Sequence, residues 1–164
     1  MKEHVLERAQ HVPLPVDQTF AFYGEIGNLE RITPPWLRFR ILDPRPDRLV
    51  AGARIEYSLV LHRFPVRWIT QIRHWEPPHR LVDFQVRGPY SLWEHTHTFE
   101  PTQSGTVMRD TIRYAIPYGP LGSMAHAAFV RRDLRRIFDY RRDATSLLLR
   151  ADSAHETSHP APHA

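Results

Sequence analysis

The chain has 164 residues, with 22 Lys or Arg, 18 Asp or Glu and no cysteine. This length fits one domain with a single core, and the lack of cysteine excludes disulfides, thiolate zinc sites and a cysteine nucleophile. No apolar run approaches the ~20 residues of a transmembrane helix, and the N-terminus lacks the apolar segment of a signal peptide. We therefore expect a cytoplasmic protein without stable membrane insertion, present as a monomer or weak homodimer.

The net charge of +4 comes almost wholly from arginine, because Lys2 is the only lysine. Many of these arginines alternate with other residues along predicted strands, which is typical of the solvated outer face of a sheet. A nucleic-acid interface would instead need basic residues clustered on one surface. We therefore expect no nucleic-acid partner.

The N-terminal part of the chain predicts one strand followed by two short helices. His4 to Val12 alternates as a strand does, and Asp17 is placed to cap a first helix. A second helix runs from Leu29 to Ile32 and is stopped by two prolines. The alternation then resumes from Trp36 to Leu42, which predicts another strand.

Three further strands are predicted at 53–62, 66–75 and 80–87. The connections between them are short and rich in proline, so consecutive strands pair as an antiparallel meander. In the last of the three, Phe84 alternates with Asp83 and Gln85. Apolar side chains favour the interior, so we assign Phe84 to the core and the two polar residues to solvent.

The clearest pattern is a predicted hairpin from Gly88 to Tyr114. One face of its first strand carries Trp93, His95, His97 and Phe99, and one face of its second strand carries Met108, Asp110, Ile112 and Tyr114. Turn residues at 101–105 separate the two strands. Closing the hairpin places His97 opposite Asp110 and His95 near Ile112. A buried carboxylate needs a donor, so we expect a histidine to contact Asp110.

The C-terminal part predicts one long amphipathic helix ending near Arg150. Its apolar residues recur at helical spacing, and the opposite, solvated face is formed by arginines: Arg131, Arg132, Arg135, Arg136, Arg141 and Arg142. A weaker hypothesis makes this arginine face a binding surface for an acidic partner. The composition of residues 151–164 predicts a disordered tail.

The order of elements resembles the helix-grip fold of the START/Bet v 1-like superfamily, also called SRPBCC or the polyketide cyclase/dehydrase group. Four short segments are similar in sequence to small bacterial single-domain members of this group: NLERITPPWLRFRI, GPYSLWEHTHTFE, GTVMRDTIRYAIP and IFDYR. The resemblance covers residues 1–150. It implies an α+β fold in which a curved antiparallel sheet of about seven strands grips the long helix, with a hydrophobic cavity between them.

A cavity of this kind predicts a non-catalytic carrier or sensor of a small hydrophobic ligand, such as a lipid or a polyketide-like molecule. Aromatic side chains would line it and a few polar groups would orient the ligand. The candidate ligand-binding residues are Tyr57, Trp68, Phe84, Trp93, His95, His97, Asp110, Tyr114 and Phe129.

Two alternatives to a ligand carrier, an enzyme and a metal site, involve residues of the same strands. A cyclase- or dehydratase-type enzyme could use His97 with Asp110 as a proton-transfer pair, although no nucleophile stands beside them. The spacing of His95 and His97 is also that of some metal sites, with a third ligand from Asp110 or the distant His74. We favour a hydrogen-bonded histidine pair, and therefore expect no metal and no cofactor.

Overall fold

A computed structural model of the chain describes residues 2–46, 48–117, 119–125 and 129–156. The strands are β1 (Glu3–Val12), β2 (Arg40–Ile41), β3 (Arg54–Leu61), β4 (Phe64–Glu76), β5 (Arg80–Arg87), β6 (Leu92–Thr102) and β7 (Gly105–Ala115), and the helices are α1 (Val16–Gly24), α2 (Ile26–Arg31), α3 (Gly119–Ala125) and α4 (Arg131–Glu156). All strand pairs are antiparallel. They form one seven-stranded sheet in the order β1-β7-β6-β5-β4-β3-β2. The predicted α+β helix-grip fold is confirmed.

The core lies between the sheet and two of the helices. From α4, Leu134 and Phe138 pack against Trp68 and Trp93 of the sheet. At the other end of the sheet, Phe20 of α1 joins a second apolar cluster. Both helices therefore cover the same face of the sheet, and whatever space their side chains leave lies between them and the strands.

The register of the β6–β7 hairpin is the one that the sequence predicts. His97 pairs with Asp110, and His95 pairs with Ile112. The same row continues across β5, where Leu81 pairs with His97. Since side chains directly opposite each other in a sheet share a face, the histidines and the aspartate all point toward the covered side.

Two predictions for the N-terminal part were wrong. Pro15, not Asp17, precedes the first turn of α1, and Asp17 lies inside that turn. The predicted strand at 36–42 instead begins within a 3₁₀ turn at Pro35–Leu37, followed by Arg38 with a left-handed φ of 46°. A left-handed residue breaks the extended backbone, so only β2 pairs with the sheet.

The predicted long helix is represented by two described elements, α3 and α4. α3 precedes a gap in the described residues, and α4 then continues to Glu156, past the predicted start of the tail. Residues 157–164, where the rest of that tail was predicted, lie outside the described residues. No helix within the described ranges combines the length and the apolar composition needed to cross a membrane.

Gly105, which follows the turn between β6 and β7, has a φ of +140°. We expect a side chain at this position to lower the stability of the fold. A Cβ there would lie 2.1 Å from the carbonyl oxygen of Val12, and backbone atoms cannot give way cheaply. We expect Gly105→Ala to lower the free energy of unfolding, measured in urea, by about 2 kcal/mol. Gly52→Ala is the control, because Gly52 also has a positive φ but open space around it. Equal losses in both variants would contradict the role of the Val12 contact.

Candidate functional site

Four ionisable side chains meet on the covered face of three neighbouring strands. Asp83 comes from β5, His95 and His97 from β6, and Asp110 from β7. Their side chains are 19%, 5%, 5% and 15% exposed, in that order. Charged groups with so little access to water need partners, and these four are one another's partners.

Asp110 contacts both imidazoles through one oxygen. Its Oδ1 lies 3.0 Å from His95 Nε2, in a hydrogen bond, and 2.7 Å from His97 Nδ1. The second contact is short but lacks the alignment of a hydrogen bond. Burial alone would raise the pKa of the Asp110 carboxyl, but the two histidines outweigh it and hold that pKa well below its ordinary value.

Asp83 faces the opposite edges of the same two rings. Its Oδ2 lies 3.5 Å from His95 Nδ1 and 3.7 Å from His97 Nε2. Its other oxygen accepts a hydrogen bond of 3.3 Å from the hydroxyl of Thr70. Although burial would raise the pKa of the Asp83 carboxyl, His97 and His95 lower it below its ordinary value. Both aspartates are therefore carboxylates.

The pKa values of the two histidines are shifted in opposite directions. For His97, burial would lower the pKa, but Asp110 and Asp83 together raise it to about 8. For His95, burial and the neighbouring His97 outweigh the carboxylates and lower the pKa. The two rings lie 3.9 Å apart between centroids. At this distance a positive charge on both is unfavourable, which drives the two pKa values apart.

Two small cavities lie between the sheet and α4, and the first of them adjoins this cluster. The first, of about 110 Å³, is bordered by Asp83, His95 and His97. The second, of about 100 Å³, is bordered by Phe39, Trp68 and other apolar side chains. They adjoin across five residues that line both: Leu29, Tyr57, Trp93, Phe138 and Arg141. The combined space has a polar end and an aromatic end.

Polar side chains from three elements surround the polar end. Tyr23 of α1 packs its ring 5.3 Å from that of His97 and donates a hydrogen bond to Thr145 of α4. Tyr57 of β3 is partly buried, and desolvation of its hydroxyl raises the pKa of that group well above the ordinary value. Arg141 of α4 lines both cavities and lowers the pKa of Asp83 through its charge. Both tyrosines therefore remain neutral hydrogen-bonding groups.

The predicted facing of β5 was wrong, and Phe84 does not line either cavity. Asp83 pairs with His95 on the covered face, and Gln85 on that face is buried and bonded to the backbone of Tyr90. Phe84 lies on the outer face, where the Arg73 guanidinium carbon sits 3.3 Å above its ring. Covering by arginine makes an outer position tolerable for a large aromatic ring.

The other predicted ligand-binding residues divide into three groups. Tyr57, Trp68, Trp93, His95 and His97 line one or both cavities. Asp110 and Tyr114 are on the covered face but line neither cavity, Asp110 lying behind the histidines and Tyr114 packing against His4 and Tyr90. Phe129 is 60% exposed and contacts His62 outside the cavities.

Sequence reasoning missed Asp83, Tyr23 and Arg141. For Arg141 a signal was present: it falls on the α4 stripe that is turned toward the sheet, which consists of Leu134, Phe138, Arg141, Thr145 and Leu149. Its assignment to the solvated face followed from its charge rather than from this spacing. No comparable signal exists for Asp83, because alternation defines two faces of a strand without saying which is buried.

Comparison with known families explains this architecture. The model of a family described as "Polyketide cyclase / dehydrase and lipid transport" matches residues 12–139. The chain belongs to this family. A search of curated proteins returned no match to the sequence.

Solved structures with a similar fold superpose on most of the chain. A protein from Thermus thermophilus, TTHA0849, has a TM-score of 0.67 at 19% identity, covering 93% of this chain and 99% of its own. A norcoclaurine synthase point mutant from Thalictrum flavum, bound to a transition-state analogue, has a TM-score of 0.68 at 14% identity, covering 93% and 97%. Ara h 8.0201 has a TM-score of 0.66 at 13% identity, covering 92% and 99%. At these identities the likeness shows the Bet v 1-like fold alone.

Proposed function

We propose that this polyketide cyclase/dehydrase family member binds a compact, mainly apolar molecule between the sheet and α4. The observation that carries the proposal is the pair of adjoining cavities, aromatic at one end and polar at the other. Apolar lining with a few converging polar groups is the usual make-up of a small-molecule site. The binding is of the carrier or sensor type.

The size of the cavities favours a ring-shaped ligand over a long acyl chain. Each is about 100 to 110 Å³, whereas an engineered apolar cavity of ~150 Å³ holds one benzene ring. A molecule of one or two rings fits this space after small side-chain adjustments at Tyr57 and Phe138, which border both cavities. An aromatic, polyketide-like molecule is therefore preferred to a fatty acid.

Two groups would orient such a ligand. Trp68 borders the aromatic end, and its buried indole N–H has no hydrogen-bond partner among the described residues. An unpaired buried donor costs free energy, which a ligand acceptor would recover. At the polar end, Arg141 and Tyr57 offer donors to a carbonyl or hydroxyl oxygen. The favoured ligand thus carries oxygen atoms on an aromatic frame.

Naphthol tests the proposal by its own fluorescence, with palmitate as the lipid arm of the same experiment. We expect saturable naphthol binding by the wild-type chain, and a loss of at least about tenfold in affinity in Leu29→Trp. Leu29 borders both cavities, so a tryptophan there fills them. Leu147→Trp is the matched control, because Leu147 is 72% exposed on α4 and should leave affinity unchanged.

The outcomes separate the alternatives. Equal affinity in the two leucine variants, or no binding of either probe, would overturn a site between the sheet and α4. Binding of palmitate alone would replace the aromatic ligand with a lipid. The enzymatic alternative has one contact in its favour, the 2.7 Å approach of His97 to Asp110 at the cavity wall. The enzymatic alternative predicts that the wild-type chain releases a molecule captured from cell extract with a mass lower by one water. The His97→Gln variant should retain the same molecule with its mass unchanged.

A further inference from the structure

We propose that Asp83, His95 and His97 form a binding site for one divalent transition-metal ion, with Asp110 holding both imidazoles in place from behind. One ligand atom of each of the three residues lies within 4.8 Å of the others. This inference goes beyond ligand binding and does not depend on it, because the site is complete without an organic molecule.

The spacing of the converging atoms suits a metal better than hydrogen bonds. Asp83 Oδ2 lies 3.5 Å from His95 Nδ1 and 3.7 Å from His97 Nε2. These distances are at or beyond the limit for an N–H···O hydrogen bond. In contrast, two ligands bound tetrahedrally at about 2.1 Å from one zinc ion stand about 3.4 Å apart. The two Asp83–histidine distances are within a few tenths of an ångström of that value, and all three ligand atoms lie within 4.8 Å of one another.

The hydrogen bonding of His95 points its free electron pair at the same place. Its Nε2 is bonded to Asp110 Oδ1 at 3.0 Å, so the neutral ring donates from Nε2 and presents a lone pair from Nδ1. That lone pair faces Asp83 Oδ2, itself an acceptor. Two acceptors that face each other in a buried site repel unless a cation or proton lies between them.

The surrounding groups supply the supports that metal ligands use. Asp110 contacts the outer nitrogen of each imidazole, in the arrangement of a carboxylate–histidine–metal unit. Thr70 holds the second oxygen of Asp83 through a 3.3 Å hydrogen bond. Phe138 packs edge-on against His95, with 5.2 Å between ring centroids, and keeps that side apolar. Each of the three ligands is therefore held by another residue.

The donor set defines the class of ion. Two imidazoles and one carboxylate, with further positions open, bind Zn²⁺ in hydrolytic enzymes and Fe²⁺ in oxygenases. All three residues border the cavity of about 110 Å³. Water or an oxygen atom of a bound molecule would complete the coordination. Sequence reasoning favoured a hydrogen-bonded histidine pair over a metal and named Asp110 or His74 as the possible third ligand; His74 lies exposed beside Glu76.

Zinc titration of the full chain tests the site, after the protein is stripped with a chelator. Histidines at 155, 159 and 163 are first replaced by glutamine, so that the C-terminal segment cannot bind the ion. We expect one equivalent of Zn²⁺ by calorimetry and a visible absorption band with Co²⁺. His95→Gln, His97→Gln and Asp83→Asn should each abolish that band, and Asp110→Asn should weaken Zn²⁺ binding by about 10- to 100-fold.

The control is His74→Gln, a surface histidine that should leave Zn²⁺ affinity unchanged. Circular dichroism of each metal-free variant shows whether it has folded, and any one folded ligand variant is enough for the comparison. The proposal is overturned if the chain without tail histidines binds no Zn²⁺, or if folded ligand variants bind it as tightly as the parent. Because no organic ligand is present, either result leaves the naphthol experiment unaffected.

Discussion

Phe138→Ala is expected to lower the free energy of unfolding by about 4 kcal/mol, because it removes the largest α4 side chain buried against the sheet. Phe138 is 4% exposed. Its ring lies 5.2 Å from that of His95 and 6.4 Å from that of Trp93, between centroids. The phenyl ring also borders both cavities. Urea denaturation at constant chelator concentration measures the loss.

A second property of Phe138→Ala distinguishes a cavity wall from an ordinary core residue. Removing the ring joins the two cavities and enlarges their apolar part, which a benzene-sized molecule can then occupy. We therefore expect saturating benzene to raise the melting temperature of the variant more than that of the wild-type chain. Phe129→Ala is the matched control, since Phe129 is 60% exposed, and it should cost less than about 1 kcal/mol. Similar losses in both variants would contradict the packing described here.

The parts of the fold that sequence predicted best are those where local signals agree. In the β6–β7 hairpin, the alternation of both strands and the turn chemistry between them fix one register, and His97 indeed pairs with Asp110. The consequence for chemistry was also correct: a histidine lies 2.7 Å from that carboxylate. Agreement between strand period and turn length leaves no alternative register that buries the same residues.

Strand β5 could not be assigned in the same way, because its two faces compete. By hydrophobicity Val82, Phe84 and Val86 form the interior set, yet Asp83 and Gln85 are the ones turned toward α4. Burial of a carboxylate becomes acceptable only when two imidazoles on a neighbouring strand face it, and no local pattern reveals that neighbour. Because of this error, sequence reasoning did not identify Asp83 as a neighbour of His95 and His97.

Charge misled the assignment of α4 for a related reason. Arg141 lies on the helix stripe that faces the sheet, between Phe138 and Thr145. Its positive charge acts on the Asp83 carboxylate of the cluster and contributes to lowering the pKa of that group. Arginine is weakly hydrated compared with lysine, so it is tolerated at such a position. The burial of the acidic cluster and the inward position of Arg141 therefore depend on each other. Neither could be predicted from the residues next to it in the sequence.

Asp110→Asn is expected to lower the free energy of unfolding by about 3 kcal/mol, because it removes the charge that both imidazoles share. Asp110 Oδ1 lies 3.0 Å from His95 and 2.7 Å from His97, and its side chain is 15% exposed. After the substitution the nearest carboxylate oxygen to His97 is that of Asp83, at 3.7 Å. The buried imidazole of His97 then lacks a close charged partner, which opposes folding. Denaturation is measured in chelator, so that lost metal affinity does not contribute.

The control for Asp110→Asn is the same substitution at a solvated ion pair. Asp139 accepts a 2.8 Å hydrogen bond from Arg8, but its side chain is 46% exposed, so Asp139→Asn should cost no more than about 1 kcal/mol. Combining Asp110→Asn with His97→Gln should recover part of the loss, because the second change removes the group left without its partner. Losses that simply add, or a cost at Asp110 no larger than at Asp139, would mean that the buried cluster is held by its apolar surroundings rather than by its charges.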